Sequence, residues 1–119
     1  MNSILSIPGY PPRGLNVSER QHWAIRRKER DWWRSEVYKA WLVAGRPYFK
    51  HPLVTVRMYF KMHRRRDPDN LTASCKALLD GLKGHAFKDD DGRTIALAVE
   101  DHVDAKEPRV EIEMEERDG

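Results

Sequence analysis

The order of apolar and polar positions divides the chain into alternating strand and helix patterns. The clearest strand covers residues 53–62, where Val54, Val56, Met58, Phe60 and Met62 are apolar at every second position. Thr55, Arg57 and Lys61 occupy the other phase. Strand side chains point to alternate faces, so this pattern predicts a strand with one buried face. Residues 109–115 alternate in the same way, with Val110, Ile112 and Met114 inward and Arg109, Glu111, Glu113 and Glu115 outward. Shorter patterns predict strands over 3–8 and, through Ile95, Leu97 and Val99, over 94–99.

Two segments have helical spacing instead. From Ser18 to Ala44 there is neither Gly nor Pro, and Trp33, Val37, Trp41 and Ala44 step by four, four and three along one stripe. Ser18 stands where an N-cap is needed, Gln21 completes a capping box, and Gly45-Arg46-Pro47 ends the segment. A second helix is predicted after Asp69, its expected N-cap, with Leu71, Cys75, Leu78, Leu79 and Leu82 on a stripe and Gly84 as terminator. The order β-α-β-α-β-β predicts an α+β (mixed α/β) fold, a small β-sheet with two main helices, as one domain over residues 1–119.

Composition narrows the class. The 119 residues are 39% apolar and 34% charged, enough for a modest core and unlike a wholly disordered chain. No apolar run approaches the roughly 18 residues of a membrane helix. The N-terminal residues lack the basic and long apolar regions of a signal peptide. Cys75 is the single cysteine, which leaves no intramolecular disulfide or Cys-based zinc finger and fits a reducing cytoplasm. These features predict a cytoplasmic protein without a membrane partner.

The net charge of +3 conceals a polarised chain. Residues 1–66 hold 15 Lys/Arg against 4 Asp/Glu, and residues 67–119 hold 7 against 15. One part suits a polyanion and the other a cation. Arg26, Arg27, Lys28, Arg30 and Arg34 crowd the first half of the long helix, and Arg64, Arg65 and Arg66 end the main strand. These are the residues expected to meet the phosphates of a polyanion.

Asp67 and Asp69 lie between a strand and a helix, and Asp89, Asp90 and Asp91 lie before the next strand. If the strands from 53 and 94 are neighbours, both acidic groups arrive at one corner of the sheet. Converging carboxylates repel one another and call for a cation. Hard oxygen donors without nearby His or Cys suit Mg2+ or Mn2+. An EF-hand is excluded, because Leu71 falls where its third oxygen ligand is required. A metal-bound carboxylate group beside arginines suits phosphodiester cleavage.

Each feature alone has an ordinary reading. A D-x-D at a helix start is often a cap, a D-D-D-G run a solvated turn, and an arginine triplet a solvated strand end. The Trp32-Trp33 pair reads as core and amphipathic surface, and Cys75 as buried and inert. Their order along the chain carries the functional signal.

That order resembles a known family. Arg64-Arg65-Arg66-Asp67-Pro68-Asp69-Asn70-Leu71, then Lys76-Ala77-Leu78-Leu79-Asp80-Gly81-Leu82, then Asp90-Asp91 is similar to the RusA-type Holliday junction resolvases. Their pattern is R-D-x-D-N-L, then K-x-x-x-D-A/G-L on a helix, then an acidic pair before a strand. The resemblance is specific over residues 64–95 and looser at Ile7-Pro8-Gly9-Tyr10-Pro11-Pro12 and Asn16.

The resemblance implies a Mg2+-dependent homodimeric endodeoxyribonuclease, with Mn2+ as a substitute, that makes paired nicks in four-way DNA junctions during recombination and repair. It implies Asp67, Asp69 and Asp91 as catalytic metal-binding carboxylates with Asp90 adjacent, a one-residue shift from Asp91 to Asp90 remaining open. It also implies a DNA-binding role for Arg26, Arg27, Lys28, Arg30, Arg64, Arg65 and Arg66, and Lys76 as the essential lysine. In the usual pattern that lysine follows the second Asp by four residues, whereas Lys76 follows Asp69 by seven. The face is kept, and the lysine moves about 4–5 Å along the axis. Two alternatives stand beside this reading: a nuclease for flaps or other branched DNA, and a non-catalytic DNA-binding protein.

Overall fold

The computed structural model describes residues 2–12, 23–63 and 68–117, with the side chains of 23–26, 69 and 70 outside the description. The elements are β1 (Asn2–Pro8), α1 (Trp23–Val43), β2 (Pro52–Phe60), α2 (Pro68–Ser74), α3 (Lys76–Asp80), β3 (Ala96–Val103) and β4 (Arg109–Glu116). The four strands form one mixed sheet in the order β1-β4-β2-β3, and the architecture is α+β. The expected cap at Ser18 lies outside the described residues.

The two alternating segments lie side by side at the centre of the sheet. β4 runs antiparallel to both β1 and β2, with Ile112 opposite Leu5 on one side and Val56 on the other. The inward phase is therefore continuous: Leu5, Ile7, Val54, Val56, Met58, Val110, Ile112 and Met114 are all buried. Trp33, Val37 and Trp41 of α1 and Ala77, Leu78 and Leu79 of α3 join the same core. Each large apolar side chain buried this way contributes about 1.5–3 kcal/mol. Ala44 was expected on the α1 stripe; it lies past the helix end and is exposed. Trp41 satisfies its indole by donating from Nε1 to the Pro47 carbonyl at 2.8 Å.

The second helix is in two pieces. In an uninterrupted α-helix the Cys75 N–H would donate to the carbonyl of Leu71. It donates to Thr72 instead, at 3.1 Å, while the Leu71 carbonyl accepts the Ser74 hydroxyl at 2.7 Å and the Cys75 thiol at 3.4 Å. Side-chain donors have taken the acceptor and tightened the turn at Cys75. The start also differs from expectation. Helix α2 begins at Pro68, a residue type suited to the first helical turn, so Asp69 lies inside that turn and does not cap it. Gly84 is not the terminator either: α3 ends at Asp80, and Gly84, at φ 80°, serves a later turn by donating to the Phe87 carbonyl.

Strand β3 begins at Ala96, two residues later than its pattern suggested, because Asp91 holds a turn ahead of it. The Asp91 carbonyl accepts from Thr94 and Ile95. β3 does neighbour β2, but in parallel, with Ala96 beside Leu53 and Val103 beside Phe60. The chain therefore leaves β2 and enters β3 at opposite ends of the sheet. This corrects the expectation that strand ends alone bring the two acidic groups to one corner. The intervening α2 and α3 carry the chain back, as a parallel crossover requires. No helix among the described residues is long and apolar enough to cross a membrane.

Candidate active site

A cluster of opposite charges forms where α3 meets the acidic loop. Lys76, the first residue of α3, places Nζ 3.2 Å from Oδ2 of Asp90 and 3.8 Å from Oδ1 of Asp80. Lys83, in the turn after α3, approaches from another side. Its Nζ is 3.7 Å from Oδ1 of Asp90 and 3.4 Å from Oδ1 of Asp89. The Asp90 side chain is 14% exposed, against 62% for Lys76 and 44% for Lys83. Asp90 is thus the recessed member, and each of its carboxylate oxygens faces a different ammonium. Burial pushes the Asp90 carboxyl up, but the Lys76 hydrogen bond and the charges of Lys76 and Lys83 outweigh it. The carboxyl is held below its ordinary value. Lys76 is raised in turn, chiefly by its hydrogen bond to Asp90.

Asp91 is used differently. It is exposed, and its Oδ1 accepts from the N–H groups of Thr94 at 2.8 Å and Arg93 at 3.2 Å. Hydrogen bonds from Thr94 lower its carboxyl. These are the contacts of an aspartate closing its own turn. The two candidates for the third carboxylate therefore have distinct local roles, one turned toward lysines and one committed to the backbone.

The other anticipated residues are placed unevenly. Asp67, Arg64, Arg65 and Arg66 lie outside the described residues. Asp69 and Arg26 are placed by backbone in α2 and α1, with their side chains outside the description. Arg27, Lys28 and Arg30 are exposed on α1. Lys76 follows Asp69 across the break at Cys75, at the start of the next helix. Among the described residues, no three His, Cys, Asp or Glu side chains converge as a metal site. Sequence reasoning missed Lys83. It belongs to no motif segment, and no periodicity marks it, because it lies in the turn after α3.

The sheet face opposite the core has a different electrostatic character. Arg57 donates to Glu113 at 2.7 Å and lies 3.5 Å from Glu100. Arg109 contacts Glu111 at 2.9 Å and Asp104 at 2.8 Å. The Tyr59 ring lies between the Arg109 guanidinium, 3.8 Å from its centroid, and the stacked His102 ring at 4.9 Å. Both arginines are engaged by acids, and acidic side chains remain in excess on this face. On α1 the exposed Arg27, Lys28, Arg30 and Arg34 sit with Trp32, which is 46% exposed. Its neighbour Trp33 is 2% exposed, so the tryptophan pair divides into one core and one surface residue. Arg34 is itself paired with Asp31 at 3.2 Å, so the basic excess on α1 rests on Arg27, Lys28 and Arg30, while the acidic excess lies on the open sheet face.

The family model described as Endodeoxyribonuclease RusA matches residues 16–115 of the chain. No curated protein matches it.

Proposed function

The chain belongs to the RusA endodeoxyribonuclease family of Holliday junction resolvases, and from that premise we propose a Mg2+-dependent, structure-selective cleavage whose loop carboxylate is Asp90. The observation that carries the assignment is the pairing of Asp90 with Lys76 and Lys83, beside the turn-closing bonds of Asp91. Asp91 Oδ1 closes the turn before β3 through two backbone N–H groups, and swinging that carboxylate toward a cation would open the turn. Asp90 is free of that duty.

In this reading Asp67, Asp69 and Asp90 would hold the metal. The donor set is all carboxylate oxygen, the chemistry that suits a hard divalent cation such as Mg2+ or Mn2+. The bound cation would supply positive charge against the phosphodiester oxygens as the attacking and leaving groups exchange. The chain's own residues do the rest. Lys76, exposed over most of its side chain, balances Asp90 and is long enough to meet a phosphate. Arg64, Arg65 and Arg66 stand next in sequence to Asp67 and would hold the scissile strand. Arg26, Arg27, Lys28 and Arg30 on α1 would follow a junction arm. The acidic open face of the sheet would be turned away from DNA, since like charge repels the backbone. Paired nicks require two such sites, which a homodimer supplies.

The test is cleavage of a synthetic four-way junction in Mg2+ by wild type, Asp90→Asn and Asp91→Asn. Asp90→Asn should lose nicking at least a hundredfold while still shifting the junction in a gel without metal. Asp91→Asn should keep most of its activity. The reverse pattern would move the assignment to Asp91, and full activity in Asp90→Asn would remove Asp90 from the metal set. Three-way and flap substrates in the same assay read out the junction preference.

A further inference from the structure

We propose that Lys83 is a resident counter-cation for the Asp89–Asp90 pair, a positioning residue that sets the metal concentration at which the site fills. The proposal rests on the reading of Asp90 as a metal carboxylate. Its own observation is the geometry of Lys83, which no family motif includes. The Lys83 ammonium bridges Oδ1 of Asp89 at 3.4 Å and Oδ1 of Asp90 at 3.7 Å. The same Asp89 oxygen accepts the Asp90 backbone N–H at 2.7 Å. One lysine thus fixes two adjacent carboxylates that would otherwise repel each other.

The backbone that presents Lys83 is firmly held. Its N–H donates to the Leu79 carbonyl at 2.8 Å, and Gly84 donates to Phe87 at 2.8 Å. Leu82 and Phe87, on either side of this turn, are fully buried. The root of the side chain is therefore fixed while the side chain as a whole stays 44% exposed. An exposed pair of this kind adds little to stability, so its consequence falls on the carboxylates it faces.

A lysine ammonium is a compact charge on a flexible stem, able to withdraw when a stronger cation arrives. Until then it competes with that cation for Asp90. Lys76 holds the other Asp90 oxygen, so a divalent ion must displace or share both lysines. Removing the Lys83 charge removes one competitor. Lys83 and Asp89 are both well solvated, so screening holds the effect of one unit charge on the affinity of a divalent ion to about fivefold to tenfold.

The test uses Mn2+ alone as the probe, titrated into DNA-free protein and followed by the loss of free-ion EPR signal. Lys83→Met should bind Mn2+ about fivefold to tenfold more tightly than wild type, and Lys83→Arg should restore the wild-type constant. Unchanged or weaker Mn2+ binding by Lys83→Met, with a native circular dichroism spectrum, would overturn the proposal. A second variant, Lys83→Gln, must tighten binding in the same direction for the charge to be the cause. Asp90→Asn separates the two readings. If it leaves Mn2+ binding intact, the assignment of Asp90 fails. If it weakens binding while Lys83→Met does not tighten it, only the role of Lys83 fails.

Discussion

A Cβ atom built on Gly81 would stand 2.6 Å from the backbone carbonyl oxygen of Arg34. The same atom would lie 3.0 Å from Cβ of Val37. Gly81 has an ordinary helical φ of −73°, so its missing side chain serves space and not conformation. It lets the end of α3 rest directly on α1. The obstacle is backbone, which no rotamer change relieves. Gly81→Ala should therefore cost about 1–3 kcal/mol by overpacking, read as a lower urea midpoint with an unchanged slope.

Lys76 and Asp90 give a pH-dependent stability with a definite sign. The Asp90 carboxyl is held below its ordinary value of 3.8, so its pairing stabilises the fold above that pH. The contribution is lost as pH falls through the depressed value. Lys76→Met should lower stability at pH 7 by less than about 1 kcal/mol, because the lysine is largely solvated. Below the Asp90 titration the two proteins should converge. A urea series from neutral pH downward checks this, and a gap that widens in acid would show that Lys76 acts through packing.

The separation of basic and acidic surfaces predicts which face meets DNA. Lys28→Ala and Arg30→Ala on α1 should each weaken metal-free junction binding and reduce the salt slope by about 1, as expected for one lost phosphate contact. Glu111→Gln on the open face should leave the slope unchanged. Fluorescence anisotropy across a salt series distinguishes the two faces, and equal effects from both would displace α1 from the interface.

Cys75 should be silent toward thiol reagents. Its side chain is fully buried, and burial pushes the thiol up to about 12. Little thiolate exists at neutral pH, and what exists is out of reach. A chromogenic disulfide reagent should label the native protein only at the rate of unfolding, and should label it promptly in urea.

The parts legible in the sequence are those set by side-chain periodicity. The alternations through Val54, Val56 and Met58 and through Val110, Ile112 and Met114 became adjacent central strands, each buried on the expected face. The step from Trp33 to Val37 to Trp41 became the buried stripe of α1. What could not be read depended on local competition or on tertiary approach. The break at Cys75 arises because Ser74 and Cys75 side chains take the Leu71 carbonyl, which no apolar pattern records. The parallel pairing of β2 and β3 is invisible to a period of two. The different duties of Asp90 and Asp91 follow from lysines 14 and seven residues before Asp90, and adjacent identical letters cannot show them.

The sheet order also governs the timing of its own formation. β4, the last element in the chain, lies between β1, the first, and β2. During synthesis β1 has no strand to join, and β2 keeps one edge open, until residues 109–116 have been made. Antiparallel closure of β4 then joins the two in one event, across sequence separations of more than a hundred residues to β1 and of fifty or more to β2. Such long-range closure is slow and leaves unpaired edges exposed in the meantime. A nascent chain stalled before Arg109 would therefore carry α1, α2, α3 and a β2-β3 ribbon but no finished sheet, and would be the species most open to proteolysis.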